Sequence, residues 1–409
     1  MKCRHCRADV SLVLIDLASA PPSNAYLTSV TMRRPEKWFP LKVLICESCW
    51  LVQTEDYSRA SELFNEEYAY FSSFSDTWVE HASNFVSDAV SRFGLNDESR
   101  FIEIASNDGY LLQFVKSRGI PCFGIEPTAS TANAARQKGI PTLERFFGIQ
   151  LAQELARDGI RADFVVGINV LAHVPDINDF VHGVVQLLKP HGVCVFEFPH
   201  VVRLIDDLQF DTIYHEHFSY LSLSTVCEIF KRGGLQVFDV EELETHGGSL
   251  KVFSQREDGG PHEVSDRVSI IVDRERRLGL NTRAYYASFS DNAARVKIDF
   301  LRELLQARWA GLRVAGYGAA AKGNTLLNFA GVKGDLIQYV ADRNPSKQGK
   351  WLPGSRIPIV SVEHLRAAQP DVVIIFPWNL QSEICDQLSY IREWGGRFLV
   401  IQPTVRYLN

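Results

Sequence analysis

Short apolar runs alternate with polar turns and helix-like stretches through the middle of the chain. The predicted elements are, in order, a strand at 101–105, a turn at 107–109, a helix at 110–118, a strand at 122–126, a strand feeding a loop at 162–176, and a strand at 192–200. This alternation predicts an α/β fold with a doubly wound sheet, in which ligands bind beyond the carboxyl ends of the strands.

The same pattern returns nearer the C-terminus. Residues 256–265, rich in glycine, proline and charge, predict a linker, and 283–308 predict a long helical stretch. The run RVAGYGAAAKGNTLLNF then predicts a strand, a small-residue turn and a helix, and PDVVIIFPWN a further buried parallel strand. Gly316 and Gly318 would let a backbone approach a ligand, and Lys322 adds a positive charge that suits phosphate oxygens. A nicotinamide-dinucleotide site and a turn whose glycines only permit helix–strand packing are the alternatives.

Composition narrows the class of protein. The 409 residues are too many for one core and predict two or three domains. A hydrophobic content of 46% with 22% charged residues is that of an ordinary soluble globular protein. We expect no membrane span, because no apolar run reaches about 18 residues. The formal charge of −6 argues against nucleic acid as a partner.

Four of the eight cysteines form two C-x-x-C pairs, Cys3 with Cys6 and Cys46 with Cys49. Each pair can supply two thiolates from one tight turn, and four sulfurs complete a tetrahedral structural zinc site. Four unrelated cysteines, a redox pair, or His5 in place of one sulfur are the alternatives. The N-terminus lacks the apolar core of a secretory signal, so we expect thiols in a reducing cytoplasm.

The turn after the first predicted strand is not G-x-G-x-x-G. It contains one glycine, and the acidic Glu103 precedes it, which suits a cationic ligand such as S-adenosylmethionine better than a pyrophosphate. Glu126, which ends the second strand, is placed to accept ribose hydroxyls. A doubly wound domain with some other ligand is the alternative.

Seven motifs that follow the paired cysteines resemble the sugar C-methyltransferases of deoxysugar biosynthesis over nearly the whole chain. They are EIASNDGYLL, GIEP, LAHVPD, EFPH, YHEHFSY, GGSLKVF and GYGAAAKGNTLLN. The resemblance implies a zinc-binding domain at 1–70, an S-adenosylmethionine-dependent methyltransferase domain at 71–255, and a Rossmann-like domain at 256–409 that contributes to nucleotide-sugar binding. It also implies methylation of a nucleoside-diphosphate (dTDP) 4-keto-deoxysugar. Carbon 3 is the expected position, and carbon 5 is the alternative.

The motif YHEHFSY is the predicted catalytic loop. Methylating the carbon beside a ketone requires a base that is neutral near pH 7, and histidine suits that role. The resemblance assigns the base to His217, with Tyr214, Glu216 and His173 as further catalytic residues. Simple alternation along a strand would not bring Tyr214, Glu216 and His217 around one carbon, so an irregular loop is required. A second metal site on His215 and His217, or a solvated turn, is the alternative.

The remaining site residues form two predicted groups. The expected contacts of S-adenosylmethionine are Glu103, Ser106, Asn107, Asp108, Gly109, Glu126, Pro127 and Asn169. The expected contacts of the nucleotide-linked sugar are Tyr68, Tyr70, His200, His215, Lys322 and Asn324. We expect a monomer. The rival functions are a nicotinamide-dependent sugar oxidoreductase that uses the C-terminal glycine turn, and a zinc-containing nucleotide-binding scaffold without turnover.

Overall fold

The computed structural model describes residues 1–57, 60–63 and 71–408. The predicted sugar contacts Tyr68 and Tyr70 lie outside the described residues. Within the described part of the chain, no helix is both long enough and apolar enough to cross a bilayer.

A small antiparallel sheet forms the N-terminal part of the molecule. Its own strands are β1 (Leu12–Ala20), β2 (Phe39–Ile45) and β3 (Val52–Thr54). The edge next to β3 is completed by Ser219–Tyr220, the last two residues of the predicted catalytic loop. The N-terminal sheet is therefore joined directly to that loop. A one-turn helix, α1 (Ala60–Leu63), follows the three strands.

The middle of the chain builds a sheet whose described strands run in the order β10-β11-β8-β7-β4-β5-β6. The strands of this sheet are β4 (Phe101–Ile104), β5 (Cys122–Ile125), β6 (Thr142–Leu143), β7 (Ala162–Ile168), β8 (Leu188–Pro199), β10 (Leu235–Leu243) and β11 (Ser249–Arg256). Strand β9 (Ser219–Tyr220) is the edge strand of the N-terminal sheet. Strands β4 to β8 are parallel, and the β10–β11 hairpin adds antiparallel to β8. The predicted strands thus form, and the predicted turn lies at the carboxyl end of β4.

Helices cover both faces of this sheet. They are α2 (Asp76–Phe93), α3 (Leu112–Lys116), α4 (Ala129–Gln137), α5 (Ile149–Arg157), α6 (Ile177–Leu187), α7 (Val201–Asp206) and α8 (Leu223–Gly233). Helix α2 begins where the Ser75 side chain accepts the N–H of Trp78, and it ends at Gly94 in a left-handed conformation. The helix expected at 110–118 is shorter than predicted, because the turn continues to Leu111.

The C-terminal part is a second sheet of parallel strands with one antiparallel edge, in the order β14-β13-β12-β15-β16-β17. The strands are β12 (Val314–Tyr317), β13 (Val340–Ala341), β14 (Ile359–Val360), β15 (Val372–Ile375), β16 (Arg397–Val400) and β17 (Arg406–Leu408). The helices are α9 (Asp266–Leu278), α10 (Arg283–Tyr286), α11 (Phe289–Trp309), α12 (Ala321–Ala330), α13 (Val362–Ala368) and α14 (Gln381–Gln387). The long helix expected at 283–308 is thus two helices.

Short 3-10 turns complete the description of the fold. They are Thr31–Arg33, Ser72–Phe74, Leu171–His173, Phe210–Thr212, Thr245–Gly247, Trp378–Leu380 and Ser389–Trp394. The predicted α/β class is confirmed, with a small N-terminal domain, a doubly wound middle domain and a second Rossmann-like domain.

Apolar packing joins the three parts. One buried cluster contains side chains of β1 and β2 together with α11 and the C-terminal sheet, for example Leu14, Phe300 and Ile374. A second cluster packs the cysteine turns against the middle sheet. The N-terminal domain therefore lies against both larger domains, and hydrogen bonds between Leu27 and Trp351 add a backbone link to the C-terminal part.

Candidate active site

The four predicted cysteines converge. The sulfur atoms of Cys3 and Cys49 are 3.6 Å apart, those of Cys6 and Cys46 are 3.5 Å apart, and all four lie within 4.8 Å of one another. A tetrahedron of Zn–S bonds of about 2.3 Å separates its sulfurs by about 3.8 Å, so the cluster has the size of a structural zinc site. The Gln53 side chain donates to the Cys3 sulfur at 3.3 Å, as outer-shell groups of thiolate ligands do.

The two cysteine turns share one backbone design. Residues Arg7 and Trp50, each next after the second cysteine of a pair, have φ near +60°. In each turn their N–H donates to the carbonyl of the first cysteine. The cluster consists of the four sulfurs and does not include His5, whose Nδ1 pairs with Asn178 Oδ1 at 2.8 Å. This corrects the alternative in which His5 replaced a sulfur.

A cavity of about 1110 Å³ lies between the three domains. Its walls include Asn24 of the N-terminal domain, the carboxyl ends of the middle strands, the predicted catalytic loop, and the start of α12. A pocket for one small ligand is typically about 300–1000 Å³, so this cavity has room for two ligands side by side.

One end of the cavity is formed by the turn after β4. Asn107, Glu126, Pro127 and Asn169 all line it. Glu126 accepts the N–H of Asn107 and the N–H of Thr128, each at 2.9 Å, which fixes its carboxylate at the cavity wall. The side-chain oxygen of Asn169 is buried and has no hydrogen-bond partner among the described residues. An unfilled acceptor beside a carboxylate fits the ammonium and ribose hydroxyls of S-adenosylmethionine.

The other four residues of the predicted cofactor group do not line the cavity. Asp108 is held from behind by Lys138 Nζ at 3.0 Å and by the Ser73 hydroxyl. Glu103 is buried, and burial together with the charges of Asp108 and Glu126 raises the pKa of its carboxyl well above the usual value. These side chains support the turn from within the domain, so their placement does not favour direct contact with a ligand.

Ser106 and Gly109 shape the same turn. A Cβ on Gly109 would come within 2.4 Å of Ile140, and its φ of +76° is one that side chains rarely adopt. The Ser106 hydroxyl fills the space beside Gly124, where an added Cβ would approach within 2.1 Å. Both residues are needed for packing.

The predicted catalytic loop is irregular, as the chemistry requires. Between the 3-10 turn that ends at Thr212 and the strand β9, the His217 N–H bonds the Tyr214 carbonyl at 2.9 Å. This turn brings Tyr214, Glu216 and His217 to the cavity together. The rings of Tyr214 and His217 have centroids 3.9 Å apart, and the His173 ring lies 4.7 Å from that of His217.

Hydrogen bonds set the tautomer of His217. Its Nδ1 lies 2.8 Å from the Thr212 carbonyl, so Nδ1 carries the proton and donates. Nε2 is left with a lone pair and with no hydrogen-bond partner among the described residues. Burial, followed by the neighbouring His173, lowers the pKa of His217 well below 6.5, so the ring is neutral at physiological pH. The loop therefore presents a neutral nitrogen base to the cavity.

His173 and Glu216 surround this base. His173 Nδ1 donates to the Glu216 carbonyl at 2.8 Å, and burial lowers the pKa of His173 to about 4. Burial raises the pKa of the Glu216 carboxyl to about 7, and the Asn24 amide opposes that rise by donating to both carboxylate oxygens at 2.8 and 2.9 Å. Asn24 thus connects the N-terminal domain to the loop.

The N-terminal domain also holds the loop by its backbone. The Thr54 hydroxyl donates to the His217 carbonyl at 3.0 Å, and the Thr54 N–H donates to the Phe218 carbonyl at 3.1 Å. The metal site therefore stabilises the domain that holds the loop of His217.

Three predicted sugar contacts lie elsewhere. His200 pairs with the buried carboxylate of Glu275 at 2.7 Å, and His215 Nε2 donates to the Phe39 carbonyl at 3.2 Å. Asn324 is buried within α12, and neither polar atom of its side chain has a partner among the described residues. None of the three lines the large cavity, so the structure does not support their assignment to substrate binding.

The C-terminal small-residue turn also differs from expectation. A Cβ on Gly316 would approach Phe376 within 2.5 Å, and one on Gly318 would approach Pro377 within 2.4 Å, so both glycines serve packing. The N–H of Ala319, which a pyrophosphate would need, is bonded instead by Asp342 Oδ2 at 2.7 Å. The packing alternative is therefore favoured here, and the nicotinamide alternative loses its expected phosphate cradle. Lys322 does line the cavity.

Two histidines of the cavity wall escaped sequence reasoning. His81 on α2 pairs with Glu197 at 2.7 Å, and His246 follows the β10 strand. Trp78 contacts both rings, with centroid distances of 4.9 and 4.7 Å. One signal was present, since His246 immediately precedes the motif GGSLKVF.

Three family models match consecutive parts of the chain: a zinc binding domain at 3–64, a methyltransferase domain at 78–240, and a C-methyltransferase C-terminal domain at 244–403. The C-methyltransferase NovU of Streptomyces niveus is 36% identical over 409 residues, which is all of this chain and 97% of that protein.

Other similarities are partial. The ubiquinone biosynthesis O-methyltransferase of Bartonella tribocorum is 24% identical over 98 residues, covering 24% of this chain and 40% of that protein. The structure of magnesium protoporphyrin IX methyltransferase from Synechocystis with bound S-adenosylhomocysteine aligns with 44% of this chain and 83% of that chain. Its sequence identity is 15% and its TM-score 0.34.

Proposed function

Because the chain belongs to the C-methyltransferase family, we propose that it methylates carbon 3 of a dTDP-linked 4-keto-deoxysugar, with His217 as the base. The chain is an S-adenosylmethionine-dependent C-methyltransferase. The sugar, the carbon position and the roles of the residues are the proposal. The observation that carries it is the neutral His217 ring, whose Nδ1 is held by Thr212 and whose Nε2 is left for a proton.

The cavity supports two ligands in one space. The end formed by Asn107 and Glu126 suits the methyl donor, which supplies an electrophilic methyl group when bound. The part of the wall that the C-terminal domain contributes carries the cationic side chains of Arg343 and Lys347, which suit a diphosphate. The catalytic loop lines the same cavity, where the two ligands would meet.

The residues of the loop account for each proton. His217 Nε2 removes the proton from the carbon beside the ketone, and the C–H electron pair forms an enolate. That carbon then bonds the methyl carbon, while the pair of the broken methyl–sulfur bond stays on sulfur. His217 afterwards releases its proton to solvent. The rings of Tyr214 and His173 pack against the imidazole of His217 and hold its orientation.

The test follows the α-proton and the methyl group separately. Purified protein is mixed with a dTDP-4-keto-6-deoxysugar in deuterium oxide, with S-adenosylhomocysteine to follow exchange or with S-adenosylmethionine to follow turnover. We expect deuterium at carbon 3 and a methylated product, and His217→Asn should reduce both rates by about 100- to 10,000-fold. His262→Asn, on a ring stacked against Phe238 away from the cavity, is the matched control. Neither exchange nor S-adenosylhomocysteine formation by the unaltered protein would sink the proposal.

A further inference from the structure

His246 has an unusual combination of strain and unmet hydrogen bonding. Its φ of +54° lies in the left-handed region, between β10 and two glycines that also have positive φ, Gly247 and Gly248. The residue lines the cavity, yet its Nε2 is shielded from solvent and has no partner among the described residues. Strained, unsatisfied side chains of this kind concentrate at functional sites.

Lys322 reaches the same cavity from the C-terminal domain. Its ammonium lies 4.2 Å from the centre of the Trp378 ring and donates to Asn379 Oδ1 at 2.8 Å. The indole is fixed in turn, because its Nε1 donates to Asp211 Oδ2 at 2.8 Å. The described residues therefore give the ammonium one acceptor and hold it in one place, with two N–H groups left for a ligand.

Packing brings the two residues to one corner beside the base. The Trp378 ring that supports Lys322 lies so close to the His246 loop that a Cβ on Gly247 would approach it within 2.5 Å. Burial is the main cause that lowers the pKa of both His217 and His246, and the charge of Lys322 lowers both a little further, as expected for three side chains around the same space. His246 is neutral at physiological pH, because burial lowers its pKa to about 4.

We propose that Lys322 and His246 together bind the carbonyl oxygen of the substrate and stabilise the negative charge that this oxygen gains in the enolate. The inference rests on the proposed function and adds the groups that stabilise the enolate formed when His217 removes the proton. His217 is a weak base, so proton removal needs strong stabilisation of the anion that forms. A fixed ammonium and a neutral imidazole in its Nε2–H form are preorganised donors for that purpose.

Neither residue transfers a proton in this scheme. When His217 takes the α-proton, the electron pair moves into the new carbon–carbon double bond and charge collects on the oxygen. Lys322 and His246 donate hydrogen bonds to that oxygen. When the carbon bonds the methyl group, the carbonyl re-forms, and both donors return to their starting state.

The distinguishing experiment measures the rate of α-proton exchange against the concentration of the dTDP-4-keto-6-deoxysugar. Lys322→Met and His246→Gln should each lower the maximal exchange rate about 100-fold while KM changes less than about threefold. Lys322→Arg should recover most of the lost rate, because the positive charge is kept. Matched controls are Lys297→Met, a lysine placed 4.3 Å over the Phe329 ring outside the cavity, and His262→Gln.

The outcomes separate the two proposals. If the unaltered protein exchanges no α-proton, the proposed function fails. If it exchanges the proton and the Lys322→Met and His246→Gln variants do so at its maximal rate, the inference alone fails. A raised KM with an unchanged maximal rate in Lys322→Met would place Lys322 on the diphosphate instead and overturn its role here. Binding of S-adenosylhomocysteine confirms that each variant is folded. If Lys322→Met does not fold, the exchange rate of His246→Gln alone tests the inference.

Discussion

Two strand–turn–helix units, one after β4 and one after β12, obey a single local rule. In the first, Glu126 at the end of the next strand accepts the N–H of Asn107 in the turn and the N–H of Thr128. In the second, Asp342 does the same with Ala319 and Asn344. Each acid fixes a turn with one oxygen and its own loop with the other, and each lines the cavity.

The units differ in what the turn then offers. In the first unit, the side-chain amide of Asn107 lines the cavity. In the second unit, the side chains of Phe376 and Pro377 occupy the space beside the two glycines of the turn. The polar side chain that the second unit contributes to the cavity is that of Lys322, which follows the turn at the start of α12. Equal local patterns therefore place different chemistry in different parts of one cavity.

The largest expected effect comes from removing the metal, because the N-terminal domain makes hydrogen bonds to the second turn and to the catalytic loop. The Tyr26 hydroxyl donates to the Ala319 carbonyl at 2.6 Å, and Thr54 holds the His217 backbone. No hydrogen bond of the described residues links 1–57 to the turn at 107–109. Chelation, or Cys46→Ser, should lower turnover at least about 100-fold, because the loop and the second turn lose their support.

Binding of S-adenosylhomocysteine, measured by titration calorimetry, provides the contrast. Its Kd should change less than about threefold after metal removal, since the first turn keeps its contacts. Cys385→Ser, at a cysteine outside the metal cluster, is the matched control. Equal loss of both functions would show that the two units depend on the N-terminal domain alike.

The next prediction concerns the acid of the first unit. Glu126→Gln replaces an acceptor oxygen by an NH2 group that must face the N–H of Asn107 or of Thr128. A buried donor without an acceptor costs about 1.5–3 kcal/mol when the lost partner was charged, so the Kd for S-adenosylhomocysteine should rise about 10- to 100-fold. An unchanged Kd would remove Glu126 from the cofactor site.

Asp342→Asn makes the same exchange in the second unit, where we expect a smaller effect on a different ligand. The new NH2 group conflicts with the N–H of Ala319 or Asn344, which displaces the loop that carries Arg343 and Lys347, the proposed contacts of the diphosphate. KM for the sugar nucleotide should rise about tenfold, while the Kd for S-adenosylhomocysteine stays the same. A change in cofactor affinity would mean that the two ends of the cavity are not separate.

The sequence was informative where the physics is local. Strands β4 and β5 lie where the apolar runs predicted them, because strands buried between helix layers are apolar throughout. The four cysteines were predicted from spacing, because a tetrahedral thiolate site requires two close pairs. The loop of Tyr214–His217 was found from its density of titratable groups.

Distant pairings were not readable in the same way. His200 follows a middle strand and was expected in the cavity. It pairs instead with the carboxylate of Glu275, which lies far along the chain on α9. His246 and Lys322 come from different domains, and only the sheet order and the packing of Trp378 bring them together. A single sequence gives the chemistry of each residue and not its partner.

The smallest expected effect concerns the loop between the two units. Burial raises the pKa of Glu216 to about 7, and the Asn24 amide limits that rise by donating to the ionised carboxylate. Asn24→Ala removes the donor, so the pKa should rise further and the limb of the kcat/KM profile set by Glu216 should move to higher pH.

Asn24→Ala should also change the free energy of unfolding by an amount that depends on pH. Because burial raises the pKa of Glu216 in the folded protein from 4.5 to about 7, the stability that this group contributes is lost as pH rises from about 4.5 and is gone just above pH 7, where the buried carboxyl has ionised. Asn24 mainly stabilises that ionised form, so Asn24→Ala should lower the free energy of unfolding more at pH 8 than at pH 6. Asn328→Ala is the control, because its amide donates to the carbonyls of Asn324 and Pro353, which do not titrate. Equal losses at both pH values for Asn24→Ala would show that Glu216 does not ionise in this range. The N-terminal domain would then act on the loop through its other contacts, which include those of Thr54 and Phe39.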